Sequence, residues 1–453
     1  MTSLRLIPIA ALWLATIATG CRSSSPATPA SPPLRNVVVI LIDTLRPDHL
    51  STYGYAHETA PFLSALAETS TVFFNAMSSS SWTAPATASL FTGLYPNRHG
   101  VVRGFFADRK RQKADRSAAI EINRIAADAP TMPELFRAKG YRTFGVAANL
   151  NIGPEIGFSR GFDQFRRLGD VESARKIGAD DASAEEVLAQ VREWREQIRG
   201  SQPFFLYLHL NDPHGPYTPH ERWLRPLQPG EPAALPAYDS EISYADWVIG
   251  QIYEELSLRE AIVVVVSDHG NAFGEHGRTG HGPGAGLYGA VNRVVTIVRA
   301  PGVGPGRQRI DVPVSLVDVL PTLLELTGAA PLPGAAGRSL APLLRNGIDP
   351  ALIATFNQRV LFAHLINYGA EGDVWSVMRR PWKLIRDPDG TVLFDFIADP
   401  GELQDVAPQQ ESSVLQLERE LKRYLAGTRA SQAVDVGLSP AEVERLRSLG
   451  YAE

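Results

Sequence analysis

Five continuous apolar runs, separated by amphipathic segments, constrain what this chain can fold into more than any other feature. They lie at 36–42, 141–147, 204–210, 261–267 and 294–298 and are rich in Val, Ile and Phe. A strand covered on one face alternates apolar and polar residues. Runs without that alternation are the pattern of parallel strands covered on both faces. Between the runs, 61–68, 131–138, 184–198 and 242–258 space their apolar residues at three and four, as helices with one buried stripe do. Strands and helices in alternation predict an α/β fold with a doubly wound, mostly parallel sheet.

After Leu344 the pattern changes. Residues 361–365, 374–379, 382–386 and 392–396 read as short hairpin strands, with Asp389 and Gly390 as a turn. A helix follows at 414–425, and Ser439-Pro440-Ala441-Glu442 opens a last one with a capping box. The expected division is a main domain at 35–345 and a small antiparallel α+β subdomain at 346–453.

The 453 residues are 44% hydrophobic and 21% charged, which excludes a disordered chain. Lys and Arg total 44 against 49 Asp and Glu, a net charge of -5. That argues against a nucleic-acid partner, which needs a basic face. A single cysteine excludes a disulfide framework and any multi-cysteine zinc or iron–sulfur site. The basic residues Arg103, Arg109, Lys110, Arg111, Lys113 and Arg116 cluster within 103–128, as a solvated loop or as a rim that attracts an anionic substrate.

The lone Cys21 follows Arg5, an apolar stretch at 6–18, Thr19 and Gly20. The stretch is shorter than the ~20 residues a span needs, and its order of charge, apolar run and small residues is that of a secretory signal. It resembles a bacterial lipoprotein signal, although Ala18 stands where such signals usually carry Leu. That resemblance implies removal of residues 1–20, a lipid on Cys21 and a Ser- and Pro-rich tether at 21–34. The expectation is an exported protein anchored to the membrane of a bacterial cell envelope. An ordinary secretory signal is the alternative.

In open α/β sheets, ligands bind beyond the carboxyl ends of the strands. The first run ends at Asp43, Thr44, Leu45 and Arg46, the 204–210 run at Asn211, Asp212, Pro213 and His214, and the 261–267 run at Asp268 and His269. Carboxylates and imidazoles on adjacent strand ends suit a divalent metal site. A second feature is the segment from Ser78 to Gly93, where Pro85 suits the first residue of a helix. Thr83 would then lie just before the positive end of that helix, either as a plain cap or as a nucleophile beneath a phosphate or sulfate.

With these residues in view, the chain resembles sulfatases of the alkaline phosphatase superfamily. The matching blocks run in order: 37–50, 82–100, 157–163, 212–217, 267–277, 317–323, 337–340 and 398–402. The resemblance makes Asp43, Asp268 and His269 metal ligands. It puts Thr83 where those enzymes carry the Cys or Ser that is oxidised to formylglycine, and His214 on their active-site histidine. His281 falls near their substrate-binding Lys. It implies one divalent ion, Ca²⁺ or Mn²⁺ first and Zn²⁺ as an alternative.

Three departures stand out. Thr44 replaces the second of two adjacent Asp, Thr83 replaces the convertible residue, and Thr87 replaces the Arg that follows it. Threonine is a secondary alcohol, so its oxidation would give a ketone, and no formylglycine is expected. The reading is a metal-dependent hydrolase of sulfate or phosphate esters, on a small-molecule, glycan or lipid substrate. Thr83 attacks directly, His214 serves the leaving oxygen, and His281 and Arg46 neutralise charge, Arg46 alternatively by holding the metal loop. An envelope phosphoethanolamine-type transferase and an inactive binding lipoprotein are the alternatives. The Gly-rich letters at 284–289 lack a strand leading into them and are set aside as a dinucleotide site. His57, His99, His209, His220 and His364 receive no role, and His276 is held out as an exception among them.

Overall fold

The apolar run at 37–42 becomes the central strand because neither of its faces meets water: all six residues are buried. In the computed structural model, which describes residues 34–103, 121–168, 183–200, 203–366, 373–428 and 434–437, this strand, β1 (Val37–Ile42), belongs to an eight-stranded sheet. The others are β2 (Thr71–Phe73), β3 (Arg142–Ala147), β4 (Gln164–Arg167), β5 (Phe204–Leu210), β6 (Ile262–Ser267), β7 (Thr296–Arg299) and β8 (Gln308–Ile310). Their order is β8-β2-β7-β6-β1-β5-β3-β4. β1 pairs in parallel with β5 and β6, as β5 does with β3, β3 with β4 and β2 with β8. β7 alone runs antiparallel to both its neighbours.

Helices cover both faces. They are α1 (Pro61–Ala67), α2 (Thr83–Thr92), α3 (Met132–Ala138), α4 (Ala184–Ile198), α5 (Leu235–Glu255) and α6 (Val319–Leu326). The period-two alternation of the strands sorts the core. Val37, Val39, Leu41, Phe205 and Tyr207 pack with α2, α3 and α6. Val38, Ile40, Ile42, Leu206 and Leu208 pack with α1, α4 and α5. Phe91 of α2 meets Tyr207 edge-on at 4.8 Å and Phe158 at 5.4 Å between ring centroids. Truncating such a ring to Ala costs about 3–5 kcal/mol.

The five predicted strands and four predicted helices are present, but the 294–298 run becomes an antiparallel strand from Thr296, and α6 was not foreseen. β2, β4 and β8 were not foreseen, because each is three or four residues long with polar members. α5 begins at Leu235, earlier than its apolar spacing indicates, because Asp239, Ser240 and Glu241 are buried and interrupt the stripe.

The C-terminal strands β9 (Leu361–Leu365), β10 (Val374–Arg379), β11 (Trp382–Asp387) and β12 (Gly390–Asp395) form an antiparallel sheet in that order. It follows α7 (Pro350–Asn357) and precedes α8 (Glu411–Gly427). Trp375, Val377, Leu384 and Leu393 face Leu417 and Leu421 of α8, while Ala363, Leu365, Val374, Ile385 and Phe394 join the main core. One buried ion pair and one buried carboxylate tie this region to the rest of the chain. Arg359 Nη1 lies 2.6 Å from Asp318 Oδ2. Lys383 Nζ lies 2.7 Å from Glu402 Oε1, and Glu402 Oε2 accepts the Gly289 amide at 2.8 Å. The described residues from Arg35 onward form one compact unit.

No helix among the described residues is long and apolar enough to cross a membrane. The signal, Cys21 and most of the tether lie outside the described residues, as do most of the basic stretch at 103–128 and the helix expected after Ser439.

Candidate active site

The site gathers at the carboxyl ends of β1, β3, β5 and β6, which stand level. Ile42 of β1 is opposite Leu210 of β5 on one side and Ser267 of β6 on the other. The next residues are therefore Asp43, Asn211 and Asp268. Asp43, Asp268 and His269 are all fully buried. His269 Nε2 lies 3.6 Å from Asp43 Oδ1 and 3.4 Å from Asp268 Oδ2. Its Nδ1 faces the Gly270 carbonyl oxygen at 2.9 Å. A proton on Nδ1 satisfies that contact and leaves Nε2 free to accept or ligate. Gly270 is glycine for a steric reason: a Cβ there would fall 2.2 Å from the Ala290 carbonyl oxygen.

Thr83 is the first residue of α2, whose N-cap Trp82 is extended and offers no side-chain cap. The free amides of that end therefore face the site and favour an anion. Thr83 Oγ1 donates to Asp43 Oδ2 at 3.3 Å and lies 3.4 Å from His269 Nε2. The predicted ligands and the predicted nucleophile thus meet at one point.

His214 and His281 complete a row of imidazoles. The His281 ring centroid is 4.7 Å from that of His269 and 4.8 Å from that of His214. His281 Nδ1 is 3.4 Å from Asn271 Oδ1, and the Gly282 amide donates to the Ser81 carbonyl at 2.7 Å, joining this loop to the Thr83 segment. Burial, reinforced by His269 and His214, holds His281 well below its usual range. Burial thus disfavours a positive charge on this ring. Arg46 likewise does not offer a free charge. Its guanidinium binds Asp48 at 2.7 Å, Glu275 at 2.6 Å and the Asn271 carbonyl at 2.9 Å. Of its two expected roles, the geometry matches the loop-holding one: it staples the chain after β1 to the chain after β6.

Two site residues escaped the sequence reading. Asn149, beyond the end of β3, donates to Asp43 Oδ2 at 3.2 Å and to Asn211 Oδ1 at 3.0 Å. The strand-end rule applied to the 141–147 run finds it. His209, given no role above, is the last inward residue of β5. Its Nε2 is 3.4 Å from Asp43 Oδ2. Its signal was a polar residue inside an otherwise apolar buried strand. His276, the exception proposed among the unassigned histidines, is exposed and stacks on Tyr288 at 4.0 Å.

Thr44 occupies the place of the absent second Asp with a left-handed backbone, φ 53, which a β-branched residue seldom adopts. Its amide donates to Asp268 Oδ1 at 3.3 Å and its hydroxyl to the Pro213 carbonyl at 2.7 Å, while its carbonyl accepts from Tyr238 at 2.8 Å. The residue locks three loops together.

These donors fit a divalent cation. Among the described residues, Asp43, His209 and Asp268 bring one donor atom each within 4.8 Å of one another. Asp43 Oδ1 and Asp268 Oδ2 are buried with no hydrogen-bond partner. Burial pushes the Asp43 carboxyl up, and the imidazoles of His209, His214 and His269 outweigh it, so Asp43 is held low. Burial and the charge of Asp43 push Asp268 well above the carboxylate range. Without a cation Asp268 therefore keeps its proton, and a divalent ion between the two carboxyls would let both ionise.

An open, mostly parallel sheet that presents a hydroxyl, two carboxylates and imidazoles at its strand ends defines a hydrolase of sulfate or phosphate esters in the alkaline phosphatase superfamily. The sulfatase family model matches residues 35–329, and the chain belongs to that family. It is similar to arylsulfatase K of Xenopus laevis, 25% identical over 500 residues, covering 91% of this chain and 86% of the relative. Its fold is similar to that of a protein solved in complex with its substrate D-glucosamine-2-N,6-O-disulfate, with TM-score 0.70, 18% identity and coverage of 88% and 100%. It is also similar to the phosphonate monoester hydrolase of Agrobacterium radiobacter, with TM-score 0.66, 19% identity and coverage of 90% and 100%.

Proposed function

We propose that the protein is a metal-dependent hydrolase of sulfate or phosphate esters that uses Thr83 directly as its nucleophile, on a small-molecule, glycan or lipid ester at a bacterial cell envelope. The observation that carries this is the Thr83 hydroxyl at the uncapped start of α2, 3.3 Å from Asp43 Oδ2 and 3.4 Å from His269 Nε2. Asp43, Asp268 and His269 would hold the ion, and Ca²⁺, Mn²⁺ and Zn²⁺ are its candidates. A divalent ion there supplies positive charge to the Thr83 oxygen and to a nonbridging oxygen of the substrate.

The residues of the chain do the rest. The amides at the start of α2 orient the tetrahedral anion. Thr83 Oγ bonds to phosphorus or sulfur while its proton passes to water, and the bond to the leaving oxygen breaks. His214 gives that oxygen a proton. Water then cleaves the threonine ester, and the hydroxyl is restored. The sulfated sugar on which the similar structure acts supports a glycan ester, and the Cys21 signal pattern supports attachment to the envelope through a lipid.

The test is a screen of sulfate monoesters against phosphate mono- and diesters, each with added Ca²⁺, Mn²⁺ or Zn²⁺. Turnover in water without an acceptor alcohol, lost in Thr83→Ala, is the expected result and sets the transferase alternative aside. Wild-type rates in Thr83→Ala would reduce Thr83 to a helix cap. Silence across all arms would favour the inactive binding lipoprotein.

A further inference from the structure

We propose that His209 is a protein ligand of the divalent ion, in place of the carboxylate that Thr44 does not supply. The inference rests on the metal-dependent reading above and adds one ligand and a choice of ion to it.

Position comes first. Phe205 and Tyr207, the preceding inward residues of β5, pack in the same cluster as α2, so period two turns His209 toward α2 as well. His209 stands opposite Leu41 on β1 and Ala147 on β3. The imidazole therefore lies under the helix that begins at Thr83, beside the end of β1. It is fully buried.

Its surroundings offer it little else. Neither ring nitrogen has a partner at full hydrogen-bond geometry among the described residues, the long contact to Asp43 apart, and a buried polar group left so costs about 1–3 kcal/mol. Nε2 is 3.4 Å from Asp43 Oδ2. If Nδ1 carries the proton, the Nε2 lone pair faces a carboxylate lone pair, and the contact is repulsive unless a cation lies between them. The donor atoms of Asp43, His209 and Asp268 already sit within 4.8 Å of one another. Thr44 supplies no carboxylate, and its hydroxyl donates away to the Pro213 carbonyl at 2.7 Å.

The resulting set is two carboxylates, Asp43 and Asp268, and two imidazoles, His209 and His269. Calcium prefers six to eight oxygen donors. Imidazole suits zinc and its transition-metal neighbours. The set therefore selects Zn²⁺, or Mn²⁺ after it, over Ca²⁺. The competing role for His209 is that of a hydrogen-bond donor to Asp43, which would leave one imidazole on the ion.

The experiment uses the full chain, stripped of metal and titrated with Zn²⁺ or Co²⁺. X-ray absorption on the wild-type protein should count two imidazoles per ion. His209→Gln should show one fewer and bind Zn²⁺ more than about 100-fold more weakly, beyond the ~10–100-fold cost of losing a second-sphere partner. One imidazole in the wild type overturns the proposal, as does unchanged Zn²⁺ affinity in His209→Gln. If that variant does not fold, the wild-type count decides. Zn²⁺ bound through one imidazole and lost in Asp268→Ala sinks His209 alone. Wild-type protein that binds no divalent ion sinks the metal-dependent reading with it.

Discussion

The hydroxyl of Thr83 and the carboxylate of Asp43 stand 3.3 Å apart, one at the first residue of α2 and the other just beyond β1. Rigid elements fix both ends of this contact. β1 is buried on both faces and pairs on both sides, and every residue of α2 is buried. A hydroxyl held so firmly loses little freedom on reaching its attacking position.

Thr83→Ala should therefore lower turnover by at least about 1,000-fold, as the loss of a nucleophile does in other hydrolases, with metal content and melting temperature preserved. Thr83→Ser keeps a hydroxyl and should retain measurable activity. A steady-state assay of the three proteins, alongside elemental analysis, checks this.

Purified protein should carry about one divalent ion per chain, and Asp268→Ala should lose it. Chelation should lower the melting temperature of the wild type, because an ion that binds only the folded chain stabilises it. The same chelator should leave Asp268→Ala unmoved.

Glu241 gives a pH signature of stability. Burial pushes its carboxyl up to about 9, and the neighbouring charge of Asp212 adds to this. The folded state therefore keeps a proton that the unfolded chain releases near its ordinary value. Stability from this group is present at low pH and is lost as pH rises toward 9. Glu241→Gln should flatten that loss, so that the fall in melting temperature between pH 5 and 9 shrinks by at least about 2 °C. Calorimetry at the two pH values, in both proteins, measures it.

Cys21→Ser should move the expressed protein from the membrane fraction to the soluble one. Fractionation with and without detergent tests it, and an unchanged membrane fraction would rule out lipid anchoring at that residue.

Much of this fold was legible because buried parallel strands write themselves as unbroken apolar runs, and the residues after them are aimed at one crevice. Asp43, Asp268 and His269 could be read for that reason, and Thr83 from the helix start that Pro85 marks. Arg46 could be found but its occupation could not, because Glu275 and Asp48 reach it through loop geometry that no periodicity records. His209 was hidden for the opposite reason. It sits inside the strand, where a buried histidine more often satisfies a local partner, and only the register of β5 against β1 brings it to the carboxylates.

The buried Lys383–Glu402 pair, with its hold on the Gly289 amide, bears on how such a chain can be rearranged. A fragment ending near residue 345 keeps Asp43, Thr83, Asp268 and His269, yet strips the Gly289 amide of its carboxylate and bares the apolar wall that Ala363, Val374 and Phe394 cover. Nor can the C-terminal piece be swapped freely between homologous chains. A graft that lacks Arg359 leaves Asp318 as a lone buried charge, at a cost of about 3–5 kcal/mol. The two halves are therefore inherited as a unit, and recombination that separates them should yield insoluble chains.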